Sequence, residues 1–260
     1  TFTNTAGTND AITLDDASNA FSGTVTFSTD SGSAVTVVDT TALDLLALSA
    51  ASLSVTAGGA VTDSGTLAVS GATTISASGQ DITLDEAAST FGTLALTGAN
   101  VAVTENAATD LGASTVGGTL GITSAGAVTD SGTLAITGAT TISASGQDIT
   151  LDEAASTFGT LALTGSNVAV TENAAMDLGA STIGGTANFN STSNVITDSG
   201  TLAITGATTI NAGTADITLD QAASTFGALA LTGANVAVTE NAATDLAAST
   251  VSGTLGITSA

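Results

Sequence analysis

A chain of 260 residues with 23 Asp and Glu, and no Lys, Arg or His, has a formal charge of −23 and can form no ion pair between side chains. That balance excludes nucleic acid as a partner, because binding it rests on Lys and Arg neutralising phosphates, and it disfavours anionic lipid surfaces. The 43% hydrophobic content suffices for a large core, yet only 3% is aromatic and Trp, Tyr, Pro and Cys are absent, so the core falls to Ala, Val, Leu and Ile.

Small aliphatics suit a narrow, layered core. The lack of proline fits an unbroken ladder of backbone hydrogen bonds, since proline removes a donor. Without cysteine there is neither a disulfide framework nor a thiolate metal site. No run of 18 apolar residues suggests a membrane-spanning helix. The chain opens at Thr1 with no charged leader and ends at Ala260 in a phrase that the interior copies continue. We therefore expect a segment of a longer or polymerising chain.

Taken in order, the chain first writes DAITLDDASNAFSGTVTF from Asp10, a loose copy of a phrase that returns three times downstream. The phrase is DITLDEAASTFGTLALTG at Asp81–Gly98 and again at Asp148–Gly165, then DITLDQAASTFGALALTG at Asp216–Gly233. Leu14, Leu84, Leu151 and Leu219 are equivalent, which gives steps of 70, 67 and 68 residues. Such a period signals stacked structural units. The second unit divides into Asp81–Ala99, Asn100–Ala125 and Gly126–Gln147. At about twenty residues per coil this predicts an all-β, right-handed parallel β-helix with about three coils per 67–70-residue repeat and about twelve coils in all. No linker interrupts residues 1–260, which read as one continuous array.

Alternation supplies the strands. Ile82 and Leu84, Leu94 and Leu96, Val101 and Val103, Leu134 and Ile136, and Ile142 and Ala144 face inward. Ser-Gly and Gly-Gly steps mark the turns between them. The Ala-rich pieces DEAAST at Asp85–Thr90 and ENAATDL at Glu105–Leu111 are under two turns long, so they are turns within a coil rather than helices. Phe21, Phe91, Phe158 and Phe226 recur once per unit and are expected to plug one wide corner each. Stacked every third coil they stand ~14 Å apart and do not touch. The stretch Thr186–Val195 departs from the repeat, with Phe189 and three asparagines, and holds the sequon Asn190-Ser191-Thr192.

Chemistry in such a chain rests on its acids. A carboxylate pair could come from Asp85 with Glu86, or from Glu105 with Asp110. The same acids return in every unit, however, and Glu86 becomes Gln221 in the last. We expect no catalytic residue and no enzyme. A hard cation is a better match for oxygen ligands. Asp63, Asp85, Glu86, Glu105, Asp110, Asp130, Asp152, Glu153, Glu172 and Asp177 are the candidates, because acids that end strands on neighbouring coils meet at one corner. Two carboxylates ~5 Å apart repel by roughly 1 kcal/mol in water. Calcium would relieve that repulsion, although neither a GGxGxD solenoid motif nor an EF-hand loop is present. The plainer reading has the acids hydrating the surface and accepting backbone N–H bonds at turns. No cofactor is required. Thr24-Val25-Thr26 is the one tidy Thr-x-Thr and does not recur, so ice is not an expected ligand.

Short alternating strands with GTLxLTG-like phrases and acidic coil starts resemble the repeats of large secreted bacterial surface proteins, namely filamentous-haemagglutinin-like exoproteins and giant repetitive adhesins. The resemblance runs from about Asp10 onward. It implies a parallel β-helix at the bacterial cell surface or outside the cell, with a role in adhesion, surface filaments or biofilm matrix. A chain without Lys or Arg also offers no trypsin site, which suits that setting. The expected partner is another copy stacked end to end, together with a polysaccharide or cell surface. A carbohydrate- or calcium-binding surface module, working through loops such as Thr104–Thr115, is the alternative.

Overall fold

The computed structural model describes residues 1–4 and 10–260. Among these there is no helix, and the strands pair in parallel throughout. Most strands hold only two to six residues, such as Ile82–Leu84, Val101–Glu105 and Leu120–Ser124. Segments this short owe their order to identical neighbours above and below. Apart from the separate pair Phe2–Thr3 and Phe27–Ser28, they stack into two ladders on opposite sides of the core, one passing through the strands of Val25, Leu84 and Ile257 and the other through those of Ile12, Leu94 and Leu229. The ladder of the first side has thirteen rungs along its path. A β-solenoid of about 13 turns results, roughly 60 Å long at the parallel-strand spacing.

The alternation is obeyed closely. Ile82, Leu84 and Leu94 are fully buried, and Leu96, Val101 and Val103 nearly so. The intervening Thr83, Ala95 and Ala102 are not buried. Ser78-Gly79, Ser145-Gly146 and Ala212-Gly213 make the turns before the ITL strands that start at Ile82, Ile149 and Ile217, with glycine φ of 74°, 78° and 56°, a left-handed conformation that glycine adopts without strain. Elsewhere glycine answers to spacing. A Cβ at Gly92 would lie 2.5 Å from the Gly71 carbonyl oxygen one coil below, and Gly159 over Gly138 and Gly227 over Gly206 repeat the arrangement.

The registers refine the expectation of about three coils per repeat. From Ile82, partners follow at Val101, Leu120 and Thr140, in steps of 19, 19 and 20 residues. Only nine residues then remain before Ile149, the start of the next unit, and nine residues make half a coil. Ile149 accordingly lies on the other side, where it pairs with Val128 and Val168. Ile82–Leu84 reaches its copy Ile217–Leu219 on its own side after seven steps. Ile12–Leu14 likewise reaches Ile149–Leu151 after seven. Two repeats thus make seven coils, and each repeat is three and a half. Successive repeats are turned by half a revolution and advance roughly 17 Å.

The half coil changes the picture for the phenylalanines. Phe91, Phe158 and Phe226 are buried, as corner plugs should be, whereas Phe21 is only half-buried. They alternate between the two sides instead of stacking on one: Phe91 lies within Thr90–Gly98, which pairs with Leu67–Ser76, whereas Phe158 leads into Thr160–Gly165, which pairs with Thr140–Ser143. Among the described residues the ring contacts are Phe2 with Phe21 at 5.7 Å and Phe2 with Phe27 at 5.8 Å.

Candidate functional site: a carboxylate clamp repeated along the rod

Each ITL strand is followed by a turn that leaves the ladder. After Leu84 the chain leaves the sheet as the turn Asp85–Ser89, closed by the Ser89 N–H donating to the Glu86 carbonyl at 2.9 Å. The N–H groups of such a turn have no strand beside them, and leaving them unpaired in a buried corner costs about 1–3 kcal/mol each. Side chains from the coils below and above take their place. Below, Asp63 ends the strand Val61–Asp63 and accepts the Asp85 N–H at 2.8 Å. Above, Glu105 ends Val101–Glu105 and accepts the Phe91 N–H at 2.7 Å. Ser89 itself is fully buried, and its hydroxyl oxygen accepts the Leu67 N–H at 3.0 Å.

The clamp recurs on alternating sides. Asp130 accepts the Asp152 N–H at 2.8 Å and the Glu153 N–H at 3.4 Å, while Glu172 accepts the Phe158 N–H at 3.0 Å. Asp198 does the same for Asp220 and Gln221 at 2.8 and 3.4 Å. This explains why Gln221 can replace Glu86: the clamp uses the backbone of that residue and not its side chain. In the first unit Asp39 stands where the later units have Glu, and accepts the Phe21 and Thr41 N–H groups at 3.2 and 3.1 Å.

The upper carboxylates differ in their second partner. Glu105 Oε2 accepts the Thr109 hydroxyl at 2.8 Å, and Thr109 Oγ1 lies 3.0 Å from Ser124 Oγ. In the next unit Met176, the chain's one methionine, replaces Thr109. Glu172, fully buried, then keeps one carboxyl oxygen without a hydrogen bond. In the last unit both oxygens of buried Glu240 lack a partner.

Burial in this corner disfavours the charged form. It pushes Glu172 up to about 8, with only the Phe158 N–H opposing. Asp63 rises to about 6, for burial outweighs the N–H bonds from Asp85 and Glu86. Glu105 is raised as well, its burial partly offset by the Phe91 N–H and the Thr109 hydroxyl. Asp130 and Asp198 are raised by burial against the N–H groups they hold.

The ten acids singled out as cation ligands thus fall into three groups. Asp63, Glu105, Asp130 and Glu172 are buried and occupied with backbone N–H groups. Asp85, Asp152 and Glu153 are exposed on the clamped turns and Glu86 is half-buried there. Asp63, Asp85 and Glu105 lie at the ends of three successive strands, but Asp85 is exposed and the turn's own backbone separates the two buried acids. Asp110 and Asp177 belong elsewhere, on the opposite side of their coil. Asp110 Oδ2 accepts the Thr93 and Ser131 hydroxyls at 2.8 Å each, and Asp177 Oδ2 accepts those of Thr160 and Ser199 at 2.8 Å each. Among the described residues no three acids converge on a point where an ion could sit.

Two features had no sequence signal of their own. One is a turn ladder: Asp81 Oδ1 accepts the Asn100 N–H and side-chain amide at 3.1 and 2.9 Å, and Asn100 Oδ1 accepts the Thr119 N–H and hydroxyl at 3.0 and 3.1 Å. The units starting at Asp148 and Asp216 repeat it. The other is a row of hydroxyls on successive rungs, Thr104, Thr123, Ser143, Thr164 and Thr182, which face outward. The members of each set lie about one coil apart in sequence, so only a correct coil length could have lined them up.

The family described as repeats of unknown function (DUF5649) matches at residues 1–28, 32–97, 98–164 and 165–232. The chain belongs to this family. Its repeats have nearly the length found here, and two of its boundaries, at 98 and 165, fall where a GTLALTG or TLALTG strand ends. No curated protein matches the chain, and no solved structure does.

Proposed function

We propose that this repeat protein is a structural element, a stiff rod that spaces or displays surfaces outside a bacterial cell, in the manner of the filamentous-haemagglutinin-like proteins and giant adhesins that its phrasing resembles. The observation that carries the reading is the unbroken strand pairing across unit boundaries. Ile82 connects rung by rung to the Ile217 strand with no break at either repeat junction. A unit whose strands go on pairing with those of the next can be added repeatedly, and the clamp acids serve that purpose by holding the turn that follows each ITL strand. On this reading the protein is not an enzyme. Its partners are other coils of the same kind at its strand edges and a cell or polysaccharide surface along its sides.

The outward hydroxyl row supports the second reading, a carbohydrate-binding face, since it offers neutral donors and acceptors at one regular spacing on a rod otherwise strongly negative. Calcium belongs to the same reading, held at exposed acids such as Asp85 and Asp152. Electron microscopy of concentrated protein, with and without calcium, tests the first. Rods that elongate or pair end to end are expected, and monodisperse short rods under every condition would remove the polymer. Binding to insoluble glycans, lost when Thr123 and Thr164 are replaced by Val, would favour the second reading, and calorimetry without heat on adding calcium would remove the ion.

A further inference from the structure

The two middle clamps are a comparison that the chain makes on itself. Residues Ser89–Gly98 and Ser156–Gly165 are identical in sequence, STFGTLALTG, and so are the turns before them. The carboxyl groups that hold them differ in one respect. Glu105 has the Phe91 N–H on one oxygen and the Thr109 hydroxyl on the other. Glu172 has the Phe158 N–H on one oxygen and nothing on the other, although the whole side chain is buried. Met176 supplies no donor where Thr109 does.

We propose that Glu172 and the turn Asp152–Thr157 form a pH-operated latch, shut while the carboxyl is protonated and released when it ionises. The neutral acid keeps an acceptor for the Phe158 N–H, and leaving its other oxygen unpaired costs less than burying a charge there. The carboxylate cannot remain in the same place with a bare oxygen. It must draw in water or swing out; swinging out frees the Phe158 N–H, water entering opens the corner around it, and either movement lets the turn lift. No neighbour offers a positive charge. The coil below presents Asp152 and Glu153 on the turn and Asp130 beneath it, all acidic; the coil above presents Asn190 and Ser191; the same coil continues into Met176 and Asp177; and the chain has no cationic side chain at all. Burial raising Glu172 to about 8 places the change near neutrality. The Glu105 latch, with its hydroxyl partner, opens less readily.

Amide hydrogen exchange of the intact chain tests this directly. The Phe91 and Phe158 amides share the same sequence neighbours, so their intrinsic exchange rates cancel in the ratio. The ratio of Phe158 to Phe91 exchange should be near one at pH 5 and grow about tenfold or more between pH 6 and 8, as expected where opening is linked to losing one proton. M176T restores the hydroxyl and should hold the ratio within about twofold across that range, while E172Q, which cannot ionise, should make it independent of pH. A ratio that does not change with pH overturns the proposal, even if it differs from one, and so does a pH-dependent ratio that M176T leaves unaltered.

Discussion

Asp63 and Asp85 stand one coil apart at the same corner, and substitutions there should separate a buried acceptor from a hydrated one. Asp63→Ala strips the Asp85 N–H of its partner in a buried site and should cost about 1–3 kcal/mol. Asp85→Asn changes an exposed side chain and should stay within about 0.5 kcal/mol. Urea midpoints of the two variants check both. The pH dependence follows from the same burial. Asp63, Glu105, Asp130, Glu172 and Asp198 all have folded-state values above their ordinary ones. The folded state therefore binds more protons than the unfolded chain between the two values, and stability falls as pH rises through that window. For Glu172 the window runs from 4.5 to about 8. Urea unfolding should show greatest stability on the acid side and a decline toward pH 8. The part due to burial should survive added salt, because buried groups are poorly screened.

At the scale of the coil, the inward set was legible. Alternation assigns Ile82, Leu84, Leu94 and Leu96 to the core and all four are buried, since a period of two needs no knowledge of the neighbours. Leu84→Asp places an unpaired charge in a dry layer and should cost about 4 kcal/mol or more, seen as loss of the cooperative unfolding transition at 25 °C. The half coil was less legible. Asn100–Ala125 reads as one segment, yet Thr109–Leu111 lies on one side of the core and Leu120–Ser124 on the other; short strands separated by Gly-Gly do not announce which side they occupy. The clamp was half legible: its acids stood out, but their role did not, because an N–H left over by a turn in one coil is invisible until the next coil is laid on it. Gly92 belongs to this scale too. Gly92→Ala drives a methyl group into the Gly71 carbonyl below and should cost about 1–3 kcal/mol, measurable as a lower melting temperature.

For the whole molecule, a charge of −23 without one cationic side chain means that every counter-ion comes from solution. Repulsion among the exposed acids is screened over ~10 Å at 0.1 M salt. Raising sodium chloride from about 10 mM to about 0.5 M should raise the melting temperature, and a fall would show that the surface acids are engaged in specific bonds that salt disrupts. The seven-coil double repeat has its own consequence for how such a gene can change. Near-identical units invite recombination, and losing one unit removes three and a half coils. Everything beyond the deletion would then emerge on the opposite flank of the rod, whereas losing two units would shorten it and leave every downstream face pointing as before. Length variation in this family should therefore be constrained by parity: arrays that must keep a particular flank toward a partner can gain or lose repeats in pairs, and a change by one is a change of side.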